Sequence, residues 1–372
     1  MSHRKQCCVF SALSIFRVCQ SKIPFRKAIT AVHNPSIAVL INNHNNGSYI
    51  AECIESVLSQ TEPPEEIIVV DDGSTDNSRE IIGALAARHS CIKTIYTENR
   101  GQTAAIGSGV SASRQEIVTL LDGDDSYQPG HLAAMRRRWS EFPQADLIYC
   151  RFSMTGDSDL IGAFKRSLSA MDFKGLLGPI DWEKPYDWGY CTALVYFLPD
   201  LFLGNNTSTL SLRAHHAKRL ELEEFARTAR PFVRAFADKV VLMSSALGGG
   251  RRVYVPERTV SYRLRKGSAA AHLAAEFTSP SRYQILKERY AIEDWLLHRV
   301  PRSPSRMRKL LELELSTAPC PSPGHAALYR KAKKIARHQM SFVERLNSAL
   351  SRGLRDLRVF LYRKGMDTFG KR

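Results

Sequence analysis

No apolar run in the 372 residues approaches the roughly 20 needed to cross a bilayer, so the sequence predicts no transmembrane helix. None of the eight cysteines forms a C-x-x-C pair or has a histidine at zinc-finger spacing. That excludes structural zinc and predicts a reducing, cytoplasmic setting. A G-x-x-x-x-G-K-[ST] loop is missing, and no G-x-G-x-x-G turn follows the first strand, so the usual phosphate cradles are absent. No Ser/His/Asp or Cys/His arrangement suggests a covalent nucleophile. Acid is scarce at the ends: residues 1–30 hold six Lys/Arg and no Asp/Glu, and residues 325–372 hold thirteen against three.

The net charge of +16 therefore lies in the tails, on a neutral body. Nucleic-acid binders usually carry basic charge on the folded domain with interleaved aromatics, so nucleic acid is not an expected partner. Basic tails suit either attraction to an anionic membrane surface, peripherally on the inner face of the plasma membrane, or simple solvation. Near the N-terminus, "RKQCCVFSALSIFRVCQSK" has a basic start and a short apolar patch without an A-x-A cleavage pattern. Residues 1–34 are expected to be an uncleaved amphipathic or disordered leader.

From Ser36 a regular alternation begins. "SIAVLI" reads as a buried strand, followed by a helix with Ile50, Ile54, Val57 and Leu58 on one face. "EEIIVV" is the second strand, and it runs into "DDGSTDNS", where Gly73 permits a tight turn and Thr75, Asp76 and Asn77 are competent caps for the next helix. "IKTIYT" is a third strand, "GQTAAIGSGVSAS" a small-residue helix and "EIVTLL" a fourth strand. Pro129 suits the start of a helix with Leu132, Met135 and Trp139 facing inward. Strands alternating with such helices predict an α/β, Rossmann-like, mostly parallel sheet with helices on both faces.

In these sheets ligands bind outside the carboxyl ends of the strands. Two acidic clusters, Asp71-Asp72 and Asp122-Asp124-Asp125, fall there. Such carboxylates can hold a hard cation that also binds phosphate, act as acid and base, or cap the following helix. Capping competes evenly for Asp125. It accounts poorly for three crowded carboxylates, whose repulsion a divalent cation would relieve.

After residue 150 the alternation loosens. Residues 151–204 suit loops or short mixed strands, "STLSLRA" a strand and 214–247 helices. "RVYVPERTVSYRLR" alternates like an edge or antiparallel strand pair. From about 271 the chain turns helical and basic, ending in an apolar stripe from Val343 to Leu361. The expected divisions are 1–34, 35–150, 151–270 and 271–372. His215 and His216, being adjacent, point to different faces and make no joint metal site.

Residues 36–132 resemble the N-terminal half of inverting GT-A glycosyltransferases of family 2, the group that includes capsule and exopolysaccharide sugar transferases. The likeness rests on "IAVLINNHNNGSYIAECIESVLSQT", "EEIIVVDDGSTDNS", "ENRGQTAAIGSGVSASRQEIV" and "LLDGDDSYQPGHL" in order. It continues more faintly to about residue 267. The resemblance implies a nucleotide-diphosphate sugar donor and a saccharide or lipid-linked acceptor, in cell-surface polysaccharide synthesis. It implies that Asn42, His44 and Asp72 contact base and ribose, that Asp124 binds Mn²⁺ or Mg²⁺ bridging the diphosphate, and that Asp122 contacts sugar, ribose or metal. Asp238 takes the place of the acid that deprotonates the acceptor, and Arg263 that of a basic residue near the leaving diphosphate. The chain departs from the pattern at Ala237, where a second acid is common, and at Arg265, where a histidine ligand is often found. A non-catalytic nucleotide-sugar-binding protein with a degenerate acceptor site is the alternative.

Overall fold

The computed structural model describes residues 34–170, 181–197, 206–229 and 237–266, with 292, 307, 310, 313–314 and 328–335 further on. The expectations for the leader 1–34 and for most of 271–372, including the apolar stripe, lie outside the described residues. In chain order the elements are β1 (Ile37–Asn43), α1 (Ile50–Leu58), β2 (Glu66–Asp72), α2 (Ser78–Arg88), β3 (Ile92–Thr97), α3 (Gln102–Ala112), β4 (Ile117–Asp122), β5 (Ser126–Tyr127) and α4 (His131–Glu141). Then come β6 (Leu147–Tyr149), β7 (Phe152–Gly156), α5 (Ser158–Ala170), β8 (Tyr186–Tyr190) and α6 (Thr192–Phe197). A short 3₁₀ turn at Thr207–Thr209 leads to β9 (Leu210–Arg213), α7 (Ala214–Lys218), α8 (Leu222–Ala229), α9 (Ala237–Leu247), β10 (Arg251–Tyr254) and β11 (Val260–Leu264).

Eight strands form the main sheet in the order β3-β2-β1-β4-β9-β6-β10-β8. The β3-β2-β1-β4 half is parallel throughout, as short strands joined through helices require. Both faces are covered, so β1 and β2 are buried at every position and read as continuous apolar runs. Ile50, Ile54 and Val57 of α1 and Leu132, Met135 and Trp139 of α4 are buried as their spacing requires. The Rossmann-like α/β expectation is borne out. Past β4 the sheet becomes mixed, because β9 runs antiparallel to both β4 and β6 and β8 antiparallel to β10.

Two expectations are corrected. The stretch 151–204 contains α5, a 13-residue helix whose N-terminal N–H groups at Asp159 and Leu160 are received by the Asp157 carboxylate. The pair expected within "RVYVPERTVSYRLR" does not form, since Pro256 to Thr259 carries the chain from one sheet to another. There β11 runs antiparallel to β5 and parallel to β7. As expected, His215 is exposed while His216 is buried against the Ser245 hydroxyl at 2.9 Å.

The small residues of α3 let it lie directly on the sheet. A Cβ on Gly109 would stand 2.6 Å from Cγ of Leu40, a fully buried residue of β1. Gly109→Ala is therefore expected to destabilise the fold by about 1–3 kcal/mol through overpacking, despite alanine's better helix propensity. A thermal melt reads this, and an unchanged midpoint would mean that α3 does not approach β1 so closely. Further along, Ile292, Met307, Leu328, Tyr329 and Ala332 are buried in the same core cluster as β4, β9 and α9 residues. The Glu314 carboxylate accepts the N–H groups of Ala193 and Leu194 at the start of α6. Parts of the C-terminal region thus complete the core of the domain. No helix among the described residues is long and apolar enough to cross a membrane.

Candidate active site

The parallel register of β1, β2 and β4 brings their carboxyl ends to one edge, where Asn42 lies opposite Asp122 and Asn43 opposite Asp71. Each acidic cluster divides into a residue that holds the fold and a residue nearer the open edge. Asp71 is fully buried and accepts from Asn43 Nδ2 at 2.9 Å, Ser74 N at 3.1 Å and Arg79 Nε at 2.7 Å. Burial alone would raise its pKa, yet these hydrogen bonds hold it below the usual carboxylate value. Asp125 is also buried. Ser208 Oγ donates to it at 2.5 Å and the Arg263 backbone N–H at 2.8 Å. Burial, then the charges of Asp122 and Asp124, push its carboxyl well up. Asp125 does not cap α4, which begins after Gly130; it fastens the β4–β5 loop to β11 and to the turn before β9.

Asp122 faces the edge. Its Oδ1 accepts from Asn42 Nδ2 and Gln102 Nε2, both at 2.8 Å, while its backbone N–H donates to Ser208 Oγ at 3.0 Å. Burial pushes its carboxyl up to about 7, with Asn42 and Gln102 opposing and Asp124 and Asp238 adding repulsion. Asp124 is partly exposed. Its Oδ2 accepts from Arg265 Nε at 2.9 Å and its backbone carbonyl from Arg263 Nε at 2.9 Å. Between them, Gly123 leaves no room for a side chain: a Cβ would meet Asn43 Oδ1 at 2.7 Å.

The second group gathers at the end of β2. Asp72 accepts from the N–H groups of Arg100 at 2.8 Å and Gly101 at 2.7 Å, which fixes the entry to α3. His44 Nδ1 donates to the Asp72 carbonyl at 2.8 Å, so its Nε2 is left to accept from Asn45 and Asn99 amides at 3.2 and 3.1 Å. Gly73 turns the chain with φ 71°, and Asn45 adopts the left-handed region at φ 54°, which asparagine tolerates. The loop from His44 to Gly47 ties both groups together, since Asn45 N–H reaches Ser74 Oγ and Asn46 Oδ1 receives Arg265 Nη2 at 2.5 Å.

Asp238 stands in the first turn of α9, with its own Oδ1 accepting the Lys239 N–H at 2.7 Å. Burial raises its carboxyl to about 6, and its charge acts on Asp122 and Tyr262. The structure therefore gathers Asn42, Asp122, Asp124, Arg263 and Asp238 in one electrostatic neighbourhood, with His44 and Asp72 along the same edge. Sequence reasoning passed over Gln102, Ser208 and Asn46. Only their polarity, at a helix start, in a short 3₁₀ turn and in a loop, could have marked them.

Among the described residues no group of three or more His, Cys, Asp or Glu side chains could hold an ion alone. Two neighbouring carboxylates, however, fit a cation that keeps waters and takes its other ligands from substrate phosphates. The repulsion from Asp124 that adds to the effect of burial on Asp122 is what such a cation relieves. The residues thus fit a divalent ion arriving with a diphosphate, provided Arg265 yields Asp124.

The family model described as glycosyl transferase family 2 matches residues 38–198. Glycosyltransferase GlyG of Streptococcus pneumoniae serotype 4 is 28% identical over 236 residues, 62% of this chain and 72% of that protein. An uncharacterized glycosyltransferase of Nostoc sp., alr2836, is 44% identical over 97 residues, 26% of this chain and only 30% of its own length. Among solved structures, residues 1–349 of S. aureus TarS in complex with UDP-GlcNAc align with a TM-score of 0.48 at 16% identity, covering 82% of this chain and 92% of that one. The segment that carries Asn42, His44, Asp72, Asp122 and Asp124 is thus the part of the chain that is similar to glycosyl transferase family 2.

Proposed function

We propose that this protein is a glycosyltransferase that moves a sugar from a nucleotide-diphosphate sugar to a saccharide acceptor with inversion at the anomeric carbon. The observation that carries the reading is the parallel register that sets Asn42 against Asp122 at the carboxyl ends of β1 and β4, with Asp124 next to them; the buried carboxyl of Asp238, raised to about 6, supports its part as the base. A general base works best with a pKa near the working pH. In this reading Asn42, His44 and Asp72 position the nucleoside, and Asp122 orients sugar or ribose. Asp124 would hold Mn²⁺ or Mg²⁺, which GT-A enzymes typically use, and the ion would stabilise charge on the departing diphosphate. Arg263, fixed by Asp124 O and Glu52, presents positive charge to the same leaving group. Asp238 takes the proton from the attacking hydroxyl on the opposite face, so one displacement inverts the centre and no covalent intermediate is needed.

The basic tails would bring the enzyme to an anionic membrane surface, where a lipid-linked acceptor of cell-surface polysaccharide synthesis would lie. The expected divisions 35–150 and 151–270 then correspond to donor-binding and acceptor-binding halves.

Because protonated Asp238 cannot accept a proton, the transfer rate is expected to rise as pH increases through about 6 and to level off above it. A rate–pH profile at saturating donor checks this, and a rate independent of pH between 5 and 8 would remove Asp238 from the role. The test of the function itself is incubation with a panel of sugar nucleotides, Mn²⁺ and membrane extract. Transfer from one donor supports the reading, whereas tight donor binding with neither transfer nor hydrolysis would leave a nucleotide-sugar-binding protein.

A further inference from the structure

The edge of the site carries two guanidinium groups from one strand end. Arg263 and Arg265 stand two apart, so both side chains leave the same face. Both lie against one ring: Arg263 Cζ is 5.1 Å and Arg265 Cζ 5.2 Å from the Tyr49 centroid. Their tethers differ. Arg263 is held at three points, by its N–H on Asp125, its Nε on the Asp124 carbonyl and its Nη2 on Glu52 at 2.5 Å. Arg265 has two side-chain partners, the Asp124 carboxylate and the Asn46 amide oxygen. Two of its five N–H donors are thus used, and the pair with Asp124 is partly exposed, with side chains 26% and 17% accessible. Such exposed pairs contribute little to stability and exchange partners readily.

This tether ends on the carboxylate that the donor reading assigns to the metal beside the diphosphate. A diphosphate carries more negative charge than one carboxylate, and its oxygens match the planar guanidinium fork in two-point hydrogen bonds. Tyr49, with its ring 5.2 Å from the guanidinium, offers that group a support that does not depend on Asp124. We infer that Arg265 is a diphosphate-binding residue, which trades the Asp124 carboxylate for the donor's phosphate oxygens and supplies from within the chain part of the positive charge the diphosphate requires. The inference rests on the donor-site reading above and goes beyond it in one respect: nucleotide affinity then survives removal of divalent metal, and the residue at 265 sets how strongly metal matters.

The experiment is calorimetric titration of the full-length chain with UDP and with GDP, in EDTA and in Mn²⁺, for the wild type and for Arg265→Ala, Arg265→Lys and Arg265→His. Circular dichroism monitors folding. The wild type is expected to bind one of the two nucleotides in EDTA. Arg265→Ala is expected to lose about 10–100-fold of that metal-free affinity, the worth of hydrogen bonds to a charged group. Arg265→Lys recovers part of the loss through its charge, and Arg265→His binds well only with Mn²⁺. Metal-free affinity equal in wild type and Arg265→Ala overturns the inference while leaving the donor site intact. So does binding that requires Mn²⁺ in the wild type and improves in Arg265→Ala, because Arg265 would then be an obstruction. Absence of nucleotide binding under every condition overturns the donor-site reading, and this inference with it.

Discussion

Asp124→Ala is expected to abolish the gain in nucleotide affinity that Mn²⁺ confers, and to lower sugar transfer by about 10²–10³-fold, the usual cost of removing a group that stabilises developing charge. The reason is position. Of the three clustered aspartates, Asp125 spends both oxygens on Ser208 and Arg263, and Asp122 Oδ1 is shared by Asn42 and Gln102. Among the described residues the Asp124 carboxylate is tied to Arg265 alone, by a partly exposed pair, so its oxygens are the freest of the three to turn to a cation. Removing it should leave folding within about 1 kcal/mol of the wild type, since the pair it breaks is partly exposed. Paired titrations with and without Mn²⁺, together with a thermal melt, read both quantities. A variant that keeps the full Mn²⁺ response would refute the metal assignment.

Asp238→Asn is expected to keep donor binding and lose transfer by about 10²–10⁴-fold, the range for removing a general base. The amide oxygen can still accept the Lys239 N–H that the carboxylate accepts now, so the start of α9 is preserved. Any residual rate should also lose the part of its rise near pH 6 that Asp238 contributes, because that titrating group has gone. Initial rates and donor titrations on the same preparation separate the outcomes. Loss of donor binding along with transfer would mean that Asp238 supports the structure of the site rather than the chemistry.

What the sequence disclosed follows from the range of the interactions involved. The ends of β1, β2 and β4 were legible because each strand is a mostly apolar run that stops at a polar residue, and parallel topology then places Asn42 beside Asp122 and Asn43 beside Asp71. Asp124 was legible from its neighbours. Gln102, Ser208 and Arg265 were not read as site residues, because each reaches its aspartate across 20, 86 or 141 positions of chain and has no local pattern to mark it. The same holds for β11. Its alternation identified a strand, but only the path through Pro256–Thr259 decides that it pairs with β5 and β7 and not with β10. The helix α5 was passed over because its amphipathic residues sit between glycine-rich and aromatic stretches that resemble loops. Arg265 had been noticed only as a missing histidine, and the structure turns that departure into a positive contact with Asp124 and Tyr49.

The central claim is that the edge formed by β1, β2 and β4 receives a nucleotide-diphosphate sugar. The most direct measurement is a thermal-shift screen of the full-length chain against UDP-, GDP-, CMP- and dTDP-linked sugars, each with and without Mn²⁺. At least one diphosphate-linked sugar should raise the melting temperature, more so with Mn²⁺, and the rise should shrink in Asp124→Ala. No shift from any sugar nucleotide, with or without Mn²⁺, would contradict the account.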